Sequence, residues 1–203
     1  MQRPEPSDSS AARPRRDSAA TKQRLLTAAT AEFAERGIAG ARVDRIASAA
    51  RANKRLIYDY FGDKDGLFDA VMDAHIDRIV DVVPIDAGDL PAYAGRLFSY
   101  ALDHPDLLRL VTWARLEGRL GPTARGRSTQ SYHRRLAAIE AAQQSGHVTI
   151  RFTPAQLLTL IESVSVGWMA TTSAFLAAGE DDESPHRAAH CEVVIESVRR
   201  LLT

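Results

Sequence analysis

Between residues 21 and 83 the apolar positions recur with the 3.6-residue rhythm of amphipathic helices, interrupted at short intervals by polar turns. Leu26, Ala29 and Phe33 stand at i, i+3 and i+7, and Leu25 and Ala28 widen that stripe into a helix face. Gly37 follows, where the end of a helix favours a glycine. Val43, Ile46, Ala47 and Ala50 mark a second, short helix over 43–50, and after a break at 51–53 a third spans 54–60. Gly62-Asp63 interrupts again, and Asp63 is placed to cap a fourth helix running to Val83. On that helix Leu67, Val71, Ile76, Ile79 and Val83 share one face. Asp65, Asp69, Asp73, Asp77 and Asp81 recur every four residues on another, as a solvated acidic face would.

Pro84 and the run IDAGDLP place a domain boundary near 84–91. Further helical segments follow, with breaks at His104-Pro105, at 118–122 and at 146–154. Thr153-Pro154-Ala155-Gln156 is a helix start, with Thr as N-cap, Pro at the first helical position and Gln at the third. The helix it opens runs to about residue 178, where Gly179 stops it. Ser184-Pro185 then starts a last helix to about Leu202. Only VTIRF (148–152) has strand character, so the sequence predicts an all-α protein of about nine helices without internal repeats. The apolar run 157–178 has the length of a membrane span, but it contains Glu162 and six Ser/Thr residues. A helix buried between subunits accounts for that mixture better, and no membrane association is expected.

Composition narrows the class. The 203 residues are 45% hydrophobic and 26% charged, as in an ordinary globular protein. One cysteine, Cys191, excludes an internal disulfide framework and fits a reducing cytoplasm. Residues 1–20 are polar and lack an apolar central stretch, so they are not read as a signal peptide. Residues 1–19, rich in Pro, Ser and Arg, read as a disordered arm whose Arg13, Arg15 and Arg16 could help to hold DNA. The net charge is zero, yet residues 1–62 carry 12 Lys/Arg against 7 Asp/Glu, and the remainder 14 against 19. That segregation points to an N-terminal part that meets a polyanion.

Two short helices joined by a three-residue turn have the dimensions of a helix-turn-helix, whose second helix enters the major groove of DNA. A helix of seven residues is only ~10 Å long and presents few side chains to base edges. Arg55, with Asn53 and Lys54, is the candidate for base edges or nearby phosphates. Tyr58 and Tyr60 offer hydroxyls to phosphate oxygens, and such contacts position the helix without reading sequence.

RLLTAATAEFAERG (24–37) and VDRIASAARANKRLIYDYFGDKDGLF (43–68) together closely resemble the DNA-binding domain of tetracycline-repressor-type (TetR) regulators. The likeness rests on the Ala-Ala and Phe of the first helix and the Ile-Ala of the second, then on Tyr58, Tyr60, Phe61 and Lys64. It implies a helix-turn-helix domain over 20–66 and a helical effector-binding and dimerisation domain over 67–203. The function implied is a sequence-specific, ligand-responsive repressor that binds a palindromic operator as a homodimer. Double-stranded DNA, a second copy of the chain and an unknown small-molecule effector are the expected partners. The DNA-facing set is Thr21, Lys22, Arg42, Asn53, Lys54, Arg55, Tyr58, Tyr60 and Lys64. Three residues depart from the family pattern: Arg51 replaces a glycine, Arg42 a threonine, and Asp59 sits between the two tyrosines.

Phe98, Tyr100, Trp113, Trp168 and Phe175 are the large side chains expected to line an effector pocket, and core packing explains each equally well. Dimerisation through the helices 153–178 and 185–202 would use Leu157, Ile161, Val164, Val194 and Val198 in a four-helix bundle. His186 and His190 lie one turn apart beside Cys191, but without a third firm ligand no metal site is assigned. No cofactor is expected, and enzyme signatures are absent, with neither a phosphate-binding glycine loop nor a Gly-x-Ser-x-Gly. A helical adaptor or small-molecule-binding protein without DNA binding, or an all-α enzyme, is the alternative. Salt-dependent retention of duplex DNA separates these readings.

Overall fold

The computed structural model describes residues 13–119, 127–170 and 186–203. Nine helices and no strand occur among them. These are α1 (Arg13–Gly40), α2 (Val43–Ala49), α3 (Arg55–Phe61), α4 (Lys64–Val82), α5 (Leu90–Asp103), α6 (Pro105–Leu116), α7 (Arg127–Gln144), α8 (Pro154–Ala170) and α9 (His186–Leu202). The VTIRF segment is a loop between α7 and α8. Helix α1 begins at Arg13, inside the stretch expected to be an arm, because its Ala- and Arg-rich residues favour helix as much as coil. Its helical backbone breaks at Gly37, with φ 68° and ψ 176°.

Two compact units result. The first holds the described residues up to Met72 together with Arg109–Arg119. Its core is closed by Leu25, Ala29 and Phe33 of α1, Ile46 and Ala47 of α2, Ile57 of α3, and Leu67 and Phe68 of α4, with Leu110 and Ala114 of α6. Phe33 and Phe68 meet edge to face, ring centroids 5.2 Å apart. The C-terminal half of α6 and the residue that follows it belong here through the polar ties of three side chains. Arg109 Nε and Trp113 Nε1 donate to the Ala34 carbonyl, and the Glu117 carboxylate accepts from the Ile38 and Ala39 amides at 2.9 and 3.2 Å. Gly37 makes room for this contact, since a Cβ there would lie 2.8 Å from the Trp113 ring. Arg119 answers two residues of the acidic ladder, Asp65 at 2.5 Å and Asp69 at 3.9 Å.

The second unit is built on α5, which packs against α8 and α9, while α7 packs on α8. Asp89 caps α5 by accepting from the Ala92 amide. The reciprocal capping box expected at α8 is present: Gln156 N–H donates to Thr153 Oγ1 at 3.2 Å and Thr153 N–H to Gln156 Oε1 at 3.0 Å. Gly95 lets α9 approach α5 closely, since a Cβ there would lie 2.9 Å from Ile195. One expectation is corrected. Leu157, Ile161, Val194 and Val198 are all buried inside the chain, so they are core residues rather than a dimer face. The apolar side chains that α8 and α9 leave partly or fully exposed include Leu160, Val164, Val166, Trp168 and Val193.

Candidate functional site

The turn between α2 and α3 is set by backbone hydrogen bonds. Ala52 N–H donates to the Ala47 carbonyl and Arg51 N–H to that of Ser48, each at 3.0 Å. This bond pair is the Schellman ending of a helix, which needs a left-handed residue just past the cap. Arg51 supplies it with φ 50° and, among the described residues, is the only non-glycine with positive φ. An L side chain in that conformation costs about 1 kcal/mol relative to glycine. The Arg51 side chain itself is exposed.

Asn53 starts α3, its Oδ1 accepting from the Arg55 amide and its carbonyl from the Leu56 amide, both at 2.9 Å. Ile57 is fully buried and anchors the helix, which leaves the opposite side outward. Arg55 is the most prominent side chain there, 85% exposed. Its Nε lies 3.8 Å from Asp59 one turn later, so the acid between the two tyrosines flanks the arginine. Lys54 Nζ pairs with Asp44 of α2 at 2.8 Å. Tyr58 is exposed, and the Tyr60 hydroxyl lies 3.0 Å from Ser18 Oγ on α1.

The remaining expected contacts fall on the flanks. Thr21 Oγ1 accepts from Arg24, whose Nε donates to the Ala50 carbonyl at the end of α2. Lys22 sits over the Phe61 ring, 5.6 Å from its centroid. The Arg42 side chain is exposed beside the start of α2. Lys64 Nζ lies 3.4 Å from the carbonyls of both Ala39 and Ala41, so its near partners are backbone oxygens rather than open solvent.

One element was missed in the sequence. Glu32 of α1 accepts from Arg45 Nε at 2.7 Å and from the Arg42 amide at 2.9 Å, and Arg45 also reaches the Gly40 carbonyl. These bonds lock α2 against α1 and so aim α3. Burial pushes the Glu32 carboxyl up, but the hydrogen bonds from Arg45 and Arg42, with the charges of Arg45 and Arg36, outweigh it and hold it below its ordinary value. The contact spans thirteen residues across a turn, beyond what helical periodicity reports.

In the second unit the expected pocket residues disperse. Tyr100 lines a cavity of about 540 Å³ with Val82, Gly95, His104, Cys191 and Ile195. Its ring stacks on His104 at 4.0 Å. Phe98 is fully buried. Trp168 lies 4.3 Å from the His190 ring. Trp113 packs in the first unit, and Phe175 lies outside the described residues. No cluster of three His, Cys, Asp or Glu that could hold a metal occurs among the described residues.

A polar cluster that the sequence did not suggest joins α5, α7 and α8. Arg135 donates to Glu162 at 2.6 Å and reaches the Tyr93 hydroxyl at 3.5 Å. The Tyr132 hydroxyl donates to the other Glu162 oxygen at 2.9 Å. Burial, followed by the Glu162 charge, pushes the Tyr132 phenol up to about 12.

A braced first helix, a tight turn and a short outward helix carrying Arg55 and Tyr58 define a helix-turn-helix DNA reader. Residues 25–71 match the family "Bacterial regulatory proteins, tetR family", and residues 89–200 match "Tetracyclin repressor-like, C-terminal domain". The HTH-type transcriptional repressor SCO4008 of Streptomyces coelicolor is 41% identical over 151 residues, 74% of this chain and 79% of the relative. Among solved structures, SCO4942 of Streptomyces coelicolor aligns with a TM-score of 0.77 and 34% identity, over 89% of this chain and 97% of its own. A TetR family transcription regulator from Marinobacter aquaeolei shares the fold at TM-score 0.70 and 21% identity, over 90% and 97% of the two chains. The chain belongs to the TetR family and is a DNA-binding transcriptional regulator, not an enzyme.

Proposed function

We propose that the protein is a cytoplasmic, ligand-responsive repressor that binds a palindromic operator as a homodimer. The observation that carries the DNA part is the outward side of α3 and its turn, where Arg51, Arg55 and Tyr58 are exposed around the buried Ile57. Arg55 reads base edges, while Arg42, Arg51 and the Tyr58 and Tyr60 hydroxyls hold phosphates. Thr21, Lys22, Asn53, Lys54 and Lys64 support the same surface. They bind the backbone themselves or, as Asn53 and Lys64 do through hydrogen bonds to backbone groups, keep α3 and its neighbours in place.

Repression is supported by the Streptomyces coelicolor relative, which is a transcriptional repressor. A dimer is supported by the partly exposed apolar side chains that α8 and α9 leave uncovered, among them Leu160, Val164 and Val193. The cytoplasm is where a DNA-bound regulator of a bacterial family works, and no described helix is long and apolar enough to cross a membrane. To weaken operator binding a hundredfold, an effector must bind the released form a hundredfold better, about 2.7 kcal/mol.

Selection of bound genomic fragments by the purified protein tests this reading. It should recover an inverted repeat whose half-sites lie one helical turn or a multiple apart. Recovery of unrelated fragments, or sedimentation as a monomer at micromolar concentration, contradicts it.

A further inference from the structure

The second unit contains a smaller cavity, about 190 Å³, whose walls differ in chemistry. Ile79, Val83 and Ile85 form an apolar side, and Ser131, Arg134 and Arg135 of α7 face it. Arg135 sits deep, with 15% of its side chain exposed, and its Nη1 is occupied by Glu162 and Tyr93. Its Nε–H is buried with no hydrogen-bond partner among the described residues, and the same holds for the Ser131 hydroxyl. Ser131 and Arg135 are four residues apart on one helix, so both unpartnered groups lie on the same face. Buried polar groups are nearly always paired in folded proteins, and a pair left open beside a cavity marks a place for an acceptor.

Charge narrows what that acceptor is. Glu162 pairs with Arg135, and Arg134, an exposed side chain on the cavity lining, has no ion pair among the described residues, so the lining carries one arginine that no described acid pairs with. Water could satisfy the two donors, but it gains nothing from the apolar wall opposite. A small organic molecule with one anionic head and a compact branched or aromatic body meets both walls. We propose that this cavity is an effector subsite for a small monocarboxylate, whose oxygens accept from Arg135 Nε and Ser131 Oγ while its hydrocarbon lies on Ile79, Val83 and Ile85. This rests on the reading that the second unit binds an effector. Glu162 positions Arg135 by holding its Nη1, which leaves the Nε–H as the unpartnered donor.

The test uses the full-length protein with benzoate and isovalerate as probes, and with benzamide and isovaleramide as their uncharged counterparts. Binding is followed by calorimetry up to millimolar probe, and affinity for selected operator DNA is measured with and without each probe. The carboxylates should bind at least tenfold more tightly than the amides. Ser131→Ala removes a hydroxyl that has no partner among the described residues, so thermal stability should hold while carboxylate affinity falls several-fold. Arg134→Gln should lower it as well, with a larger effect at low salt. Equal binding of carboxylates and amides, with operator affinity altered by both, keeps an effector pocket but overturns the carboxylate assignment. Tight carboxylate binding that is lost in Ser131→Ala but leaves operator affinity unchanged supports the subsite and refutes its role as an effector site. Binding of neither class, or full carboxylate affinity in Ser131→Ala and Arg134→Gln, overturns the proposal.

Discussion

Replacing Arg51 by glycine should make the protein more stable and a poorer DNA binder. The turn demands a left-handed residue because the Ala52 and Arg51 amides close the end of α2 onto the Ala47 and Ser48 carbonyls, and Arg51 holds φ at 50°. Relief of the Cβ clash is worth about 1–2 kcal/mol, and the greater freedom of glycine in the unfolded chain returns about 0.5–1 kcal/mol. The net gain is about 1 kcal/mol, or a rise of roughly 2–4 °C in Tm for a chain of this size. Thermal unfolding followed by circular dichroism measures it, with Arg51→Ala as the control that keeps the strain and removes the guanidinium. The glycine variant should melt higher and the alanine variant close to the parent. Both should bind operator more weakly, with a salt dependence shallower by about one phosphate contact. If Arg51→Ala stabilises as much as Arg51→Gly, or if Arg51→Gly destabilises, the left-handed turn is not the source of strain and the reasoning fails.

Other perturbations follow from the same geometry. Because the Glu32 carboxyl titrates below its ordinary value in the folded protein, its contribution is complete above the ordinary carboxylate range and is lost as pH falls through the lowered value. Glu32→Gln should therefore cost about 2 kcal/mol at neutral pH and flatten the acid limb of a urea-midpoint against pH curve; an unchanged limb contradicts the assignment. Arg55→Ala should relax preference at particular operator positions in a competition selection, whereas Tyr60→Phe should weaken binding to all sequences alike. Asp59→Asn frees Arg55 from its flanking acid and should raise affinity, measured by anisotropy at low salt. Thr153→Ala removes one half of the capping box on α8 and should lower stability by about 1 kcal/mol in denaturant melts.

The sequence carried the local features well because their causes are local. The stripe of Leu25, Ala29 and Phe33, the stop at Gly37, the break at Gly62 and the Thr153–Gln156 box depend on residues within a few positions of one another. At Arg51 the signal was the resemblance, which places a glycine there, and the backbone has the positive φ that a glycine accommodates. What could not be read is which apolar face meets which neighbour. Leu157, Ile161, Val194 and Val198 look available for a partner subunit, yet α5 packs against both α8 and α9, and the four are buried inside the chain. Trp113 is an aromatic among C-terminal helices by sequence, but its indole packs on Gly37, 76 positions earlier, where a Cβ would be too close to the ring. The Arg135–Glu162 pair and the Glu32–Arg45 lock also join residues far apart in the chain. Charge identity announces neither, because most Arg and Glu side chains simply face water.

The central claim is that α3 and its turn dock a dimer onto an inverted repeat. Fluorescence anisotropy with the selected duplex, its scrambled counterpart, and a duplex lengthened between the half-sites by about 5 base pairs, half a helical turn, tests it most directly. Binding to the selected duplex should be tight and fall linearly with salt on logarithmic axes, with weak binding to the scrambled one and a large loss when the half-sites are rotated to opposite sides. Equal affinity for all three duplexes, or no binding even at low salt, would contradict it.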